Sequence, residues 1–222
     1  MEMEKYSEAL YYLQEAGKLE DKPEYIMEMA VAYAYLGDFQ TAESYLDYAQ
    51  KSGAVEEIKS LKAEILTAKG ELAEAIQLYQ QIESNTGDST VTRKIGVLSL
   101  EMAKDNVSYG ELAIRSYVKL KENGQASYVG HINLGSSYLL CNQKDRAFSL
   151  LQEMCILYPQ KYEVFARFAS LKYQEELKKV PADRNFAKVK EAAGKAVQIY
   201  ERKYQQENEE ITLLKQLLES LP

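Results

Sequence analysis

The chain has 222 residues and is acidic, with 34 Asp and Glu against 27 Lys and Arg and a formal net charge of −7. Because a nucleic-acid partner requires clustered basic side chains that neutralise its phosphates, this composition argues against nucleic-acid binding. One His, two Cys and no Trp leave few groups for catalysis or metal binding. Hydrophobic residues form 46% of the chain, which is enough for a folded core.

The sequence has no uninterrupted apolar run of the roughly 18 residues that a membrane span requires. Residues 1–5 lack both the basic and the apolar region of a secretory signal. We therefore expect a cytoplasmic protein with no membrane insertion. The two cysteines, Cys141 and Cys155, have apolar neighbours in the sequence, which favours buried, reduced thiols over a disulfide.

Three alanines recur at intervals of 33 residues (42 − 9 and 75 − 42): Ala9, Ala42 and Ala75. Large apolar residues three positions before and four positions after each alanine give one face of an amphipathic helix. A second helical pattern precedes two of these helices, and Gly37 and Gly70 separate the paired helices. Since glycine provides the left-handed cap at a helix end, the repeating unit is predicted to be helix, tight turn, helix.

Further along, His131-x2-Leu134-Gly135-x2-Tyr138 is followed by Ala147-x3-Leu151 and then by Pro159. This spacing resembles the tetratricopeptide repeat, whose 34-residue signature is W-x2-L-G-x2-Y…A-x3-F…P. The resemblance implies an all-α fold, an α-solenoid of stacked antiparallel helix pairs with a C-terminal capping helix. His131 takes the place of the signature's aromatic residue, so we expect a partly buried, structural histidine.

The resemblance covers nearly the whole chain, and no linker divides it, so we expect one domain over residues 1–222. The predicted segments are a partial repeat at about 1–22, repeats at 23–55, 56–88, 89–127, 128–161 and 162–204, and a capping helix at 205–222. The repeat at 162–204 carries a long insertion, in which we expect the first helix to extend to a break at Pro181.

The last third of the chain carries a second, weaker pattern. Its residues are Tyr158 to Ala169, Arg184 to Phe186, and Leu213 to Glu219. They resemble the tetratricopeptide tails of bacterial serine/threonine kinases. That resemblance implies an alternative function, a regulatory or docking tail that acts in cis on a kinase.

Little in the sequence supports catalysis. A Ser–His or Cys–His pair would have to use His131, and there is neither a Gly-rich phosphate loop nor a tetrahedral set of metal ligands. The acidic groups around Glu57, Glu176 and Glu209 are interpreted as solvated helix faces or helix starts. We therefore expect no enzyme, no metal and no cofactor, and an enzyme with an unfamiliar carboxylate site is the remaining alternative.

In the family that the chain resembles, the first helix of each repeat lines a concave groove. Carried onto this register, the resemblance implies the partner-binding residues Met27, Val31, Tyr35, Glu64, Arg93, Val97, Ile132, Ser136, Leu140, Ser170 and Tyr173. The predicted function is a scaffold or adaptor that docks a protein or peptide segment in this groove. Self-association through the solenoid ends is a further alternative, because an end without a complete cap exposes apolar helix surface.

Overall fold

The computed structural model describes residues 2–20, 22–50 and 55–222, and in that part of the chain it contains twelve α-helices, one 3₁₀ helix and no β-strand. The α-helices are α1 (Glu2–Leu19), α2 (Pro23–Tyr35), α3 (Phe39–Gln50), α4 (Val55–Lys69), α5 (Leu72–Thr86), α6 (Ser89–Met102), α7 (Ser108–Glu122), α8 (Tyr128–Leu140), α9 (Lys144–Leu157), α10 (Tyr162–Leu177), α11 (Ala187–Glu201) and α12 (Glu209–Ser220). The 3₁₀ helix spans Pro181–Asp183. The all-α prediction is confirmed.

The helices form two compact units, Met1–Gln125 and Ala126–Pro222. In the first unit α2 packs on α3, α4 on α5 and α6 on α7, and α2 also contacts α4, so that consecutive helix pairs stack. In the second unit α8 pairs with α9 and α10 with α11, and α12 packs on α11. Stacked helix pairs and a C-terminal capping helix are thus present. The single domain and its repeat limits stay predictions.

Tight turns with left-handed backbone join the helices of a pair. Gly37 and Gly70 have φ angles of 85° and 81°, a conformation that glycine adopts without a steric penalty. After Gly37, the amide of Asp38 donates to the carbonyl of Tyr33 at 2.9 Å, which closes the end of α2. Between α8 and α9, Asn142 takes the left-handed position with φ 56°.

Small residues lie where paired helices pack most closely. Ala42, Ala75 and Ala147 are at most 1% exposed, as expected for the repeated alanine of the pattern. At Gly96 in α6 the approach is closer still, because an added Cβ would lie 3.0 Å from the buried ring of Tyr117 in α7. A larger side chain at Gly96 would therefore force the two helices apart.

The segment between α10 and α11 is held by one buried carboxylate. Glu176 accepts a hydrogen bond from the Asn185 amide at 2.9 Å and pairs with the Nζ atoms of Lys172 at 3.1 Å and Lys179 at 2.8 Å. These hydrogen bonds lower the pKa of Glu176 to about 2, and the one from the Asn185 backbone amide has the largest effect. Glu176 is therefore ionised at neutral pH, and its charge ties α10 to the start of α11.

Two predictions for this segment were wrong. Helix α10 ends at Leu177, before Pro181, which instead begins the 3₁₀ helix. The guanidinium of Arg184 donates to the carbonyls of Leu177 at 3.2 Å and Lys179 at 3.1 Å, so these groups are satisfied without further helix. Glu176 lies inside the unit rather than on a solvated face, because its three partners replace its lost hydration.

Replacing Gly96 by Val should destabilise the first unit by about 1–3 kcal/mol, since the added atoms collide with Tyr117. The measurement is the free energy of unfolding in urea. The control is Gly194→Val in α11, where a Cβ would meet no atom within 4 Å and where we expect little change. Equal stability of the two variants would contradict this account of the α6–α7 packing.

Replacing Glu176 by Gln should destabilise the second unit at neutral pH. Because the pKa of Glu176 is lowered in the folded state, its ionised form stabilises the fold fully above the ordinary pKa of 4.5, and this contribution disappears as the pH falls toward 2. Urea unfolding of wild type and variant should therefore differ at pH 7 and converge in acid. The exposed Glu191→Gln is the control, and a difference that does not depend on pH would oppose this role for the carboxylate.

Candidate functional site

A pocket of about 440 Å³ in the first unit lies between α1, α2 and α4. It is lined by Tyr6, Ala9 and Leu13 from α1, by Met27, Glu28, Val31 and Ala32 from α2, and by Glu57, Ser60, Leu61 and Glu64 from α4. On α2, Met27 and Val31 are one helical turn apart, and Ser60 and Glu64 have the same spacing on α4. One face of each first helix is therefore turned toward the pocket.

A larger pocket of about 570 Å³ lies in the second unit, against α8, α9 and α10. Its apolar surface includes Ile132, Leu139, Phe148, Leu151, Met154 and Leu171. Its charged residues are Lys144, Arg167 and Lys178 together with Asp145, Glu175 and Glu210. The polar residues Ser136, Ser170 and Gln174 also line it. The three positive and three negative charges of this pocket thus balance.

Six of the eleven predicted groove residues line these two pockets. They are Met27, Val31 and Glu64 in the first unit and Ile132, Ser136 and Ser170 in the second. The other five line neither pocket. Val97 and Leu140 are exposed, Arg93 donates to the carbonyl of Gln125 at 3.4 Å, and the ring of Tyr173 lies 5.7 Å from that of Phe186. Partner binding by all eleven stays a prediction.

Tyr35, also predicted to face the groove, stacks on Tyr6 of α1, with ring centroids 4.6 Å apart and planes 4° from parallel. Because Tyr6 lines the first-unit pocket, Tyr35 contacts a wall of that pocket without lining it. The contribution of α1 to this pocket was not among the predicted groove residues. The spacing of Tyr6, Ala9 and Leu13 along one face of the helix was the signal that could have found it.

His131 lies on the wall of the second-unit pocket and is buried. Its Nδ1 atom is 3.0 Å from the Ser127 carbonyl oxygen and 3.1 Å from the Tyr158 hydroxyl oxygen. The Tyr158 ring also packs edge-on against the imidazole, with centroids 5.7 Å apart. These contacts fix the ring in place, which agrees with the structural role expected for this histidine.

A carboxylate cluster borders the second-unit pocket. Burial raises the pKa of Glu210, the positive charge of Arg167 opposes that rise, and Glu163 adds to it. In the part of the chain that the structure describes, Oε2 of Glu163 is buried without a hydrogen-bond partner. Arg167 follows Glu163 by one helical turn on α10. Of these residues, Arg167 and Glu210 line the pocket, whereas Glu163 does not.

Neither Cys141 nor Cys155 is in a disulfide. Both are half-buried rather than fully buried, and burial raises the pKa of Cys155 to about 11. Within the described ranges, no group of three or more His, Cys, Asp and Glu residues could hold a metal ion. Nor is any of the helices described here long and apolar enough to cross a membrane.

No protein-family model matches the chain, and no curated protein matches its sequence. Solved structures do match. The C-terminal part of a TPR repeat-containing protein from Cytophaga hutchinsonii gives a TM-score of 0.65 at 20% identity, covering 88% of this chain and 74% of that chain. MamA from residue 41 to its end, from Desulfovibrio magneticus RS-1, gives a TM-score of 0.61 at 14% identity, covering 84% of this chain and 99% of that chain. A chain of the APC/C hetero-tetramer Cut9–Hcn1 gives a TM-score of 0.53 at 16% identity, covering 98% of this chain and 40% of that chain.

These similarities show that the chain has the tetratricopeptide-repeat fold, as the resemblance in the sequence implied. At such identities they show the fold alone, since one fold supports many functions. None of the three descriptions mentions a kinase, and the kinase-tail interpretation stays a prediction.

The stack of Tyr6 on Tyr35 should couple α1 to the rest of the first unit. We expect the double-mutant cycle of Tyr6→Ala and Tyr35→Ala to give a coupling free energy of about 0.5–1.5 kcal/mol, because stacked aromatic rings stabilise each other beyond their buried area. Urea unfolding of the four proteins measures it. Additive effects of the two substitutions would show that the rings do not interact in solution.

Proposed function

We propose that this chain is a non-catalytic cytoplasmic protein-interaction module, a scaffold or adaptor that docks a protein or peptide segment. One observation carries the proposal. In both units a pocket lies against the first helices of helix pairs, α2 and α4 in one unit and α8 and α10 in the other. Six of the eleven positions that the register assigns to partner binding line one of these two pockets.

The make-up of both pockets supports a peptide ligand. Each has an apolar floor, formed by residues such as Met27 and Val31 in one unit and Ile132 and Leu171 in the other, with charged residues also lining it. Buried apolar side chains of a ligand supply affinity, while the polar groups around them fix its position. Volumes of about 440 and 570 Å³ are large enough for several side chains of a docked segment.

The groups in the larger pocket support binding rather than catalysis. A nucleophilic mechanism would need His131 next to a Ser or Cys, whereas its Nδ1 contacts the Ser127 carbonyl and the Tyr158 hydroxyl. Neither Cys141 nor Cys155 lines this pocket. The similarity to Cut9–Hcn1 points the same way, because the description of that structure names an assembly of two different proteins. This last argument is an analogy between folds.

To test the proposal, both pockets are filled by the triple substitution Ser60→Arg, Ser136→Arg and Ser170→Arg. The matched control is Ser84→Arg, Ser149→Arg and Thr212→Arg, three exposed helix positions that line neither pocket, with the same change in charge. Proteins captured from an extract of the expressing cells are quantified by mass spectrometry. We expect at least one protein that wild type and control capture equally and that the pocket variant captures about tenfold less, because a filled pocket cannot accept its anchor side chains.

Circular dichroism of the two variants verifies that each keeps its helices. The proposal fails if the folded pocket variant retains every specifically captured protein as well as the control does. In that case the partner binds another surface of the helices.

A further inference from the structure

The first-unit pocket has an unbalanced charge. Three carboxylates line it, those of Glu28, Glu57 and Glu64, and none of the described residues that line it is Lys, Arg or His. The second-unit pocket has the same apolar character but equal numbers of acidic and basic residues. The two pockets therefore favour ligands of different charge.

Two of these carboxylates form no ion pair within the part of the chain that the structure describes. Glu64 forms an ion pair with Lys94 of α6. Glu28 and Glu57 are exposed, and neither forms an ion pair with another residue that the structure describes. A basic ligand side chain is attracted to these two charges, and an acidic one is repelled.

The carboxylates adjoin an apolar floor. On α2, Glu28 is adjacent in sequence to Met27 and lies three residues before Val31, and Leu61 lies one helical turn after Glu57 on α4. An apolar side chain of a ligand can bury itself on this floor while a neighbouring basic side chain remains near the carboxylates. Met27 adds adaptability, because its unbranched side chain adjusts to ligands of different shape.

We propose that the first-unit pocket docks a basic segment of a partner protein, in which Lys or Arg lies beside apolar anchor residues. This inference rests on the proposed function and adds the chemistry of the docked segment. The ligand argued for is another protein: a second copy of this chain, with a net charge of −7, would be repelled by an acidic pocket. A metal ion is a poor alternative, since no group of acidic residues in the described part of the chain could hold one.

The test is selection from a phage-displayed library of random peptides of about 12 residues, a length that spans a helix groove. The full chain is compared with Glu28→Gln/Glu57→Gln, which removes these two charges from the pocket. The control is Glu74→Gln/Glu122→Gln, two exposed glutamates of the same unit that do not line the pocket. Both variants change the net charge equally, so they differ only in where the charge is removed.

We expect wild type and control to select a class of peptides enriched in Lys and Arg next to apolar residues, and the pocket variant to lose this class. Synthetic peptides of the class should bind the pocket variant about 2- to 25-fold more weakly, because each of two exposed pairs changes affinity by about 1.5- to 5-fold. Added salt should reduce this difference. Fluorescence anisotropy measures the binding.

Other outcomes separate the two proposals. In one, the selected peptides bind wild type and lose binding to the pocket-filling Ser60→Arg variant, yet show no enrichment in Lys and Arg. In that case the inference is wrong and the proposed function stands. Enrichment that persists on the Glu28→Gln/Glu57→Gln variant also overturns the inference, because the basic peptides then bind elsewhere. If no peptide is selected above background by any of the proteins, the inference and groove docking both fail.

Discussion

The close approach of the two helices in each pair is the constraint on which the rest of the structure depends. A residue with little or no side chain lies at this approach, as shown by the fully buried Ala30 and Ala63 and by Gly96 beneath the Tyr117 ring. Because the helices are so close there, larger side chains of the first helix must point to either side. Some fill the space between helix pairs, and the others are left to line a surface.

That division explains why a pocket appears in both units at equivalent helix positions. Met27 and Val31 on α2, like Ile132 and Ser136 on α8, are one helical turn apart and line a pocket. The register of the repeat therefore decides where a pocket forms. The residue types at the lining positions decide its chemistry, and so one chain contains an acidic pocket and a balanced one.

The helix pairs, their glycine turns and the final helix could be predicted because each leaves a periodic signal within about one repeat of sequence. The register does not predict a side-chain environment that depends on a distant residue. Tyr35 occupies a groove position by register, and its stack on Tyr6 of another helix leaves no periodic signal. Glu176 has the sequence context of a surface residue, yet the amide of Asn185 and two lysines allow its burial. No periodicity reveals such contacts.

Within the acidic pocket, the three carboxylates contribute unequally to selectivity for charge. A basic ligand that pairs with Glu64 must compete with Lys94, whose Nζ atom also lies 5.3 Å from the centroid of the Tyr79 ring. Because that exchange replaces one ion pair with another, it adds little free energy of binding. Pairing with Glu28 or Glu57 breaks no ion pair among the described residues, so its full gain contributes to binding. Selectivity for a basic segment therefore depends on Glu28 and Glu57, while affinity depends on the apolar residues that line the same pocket.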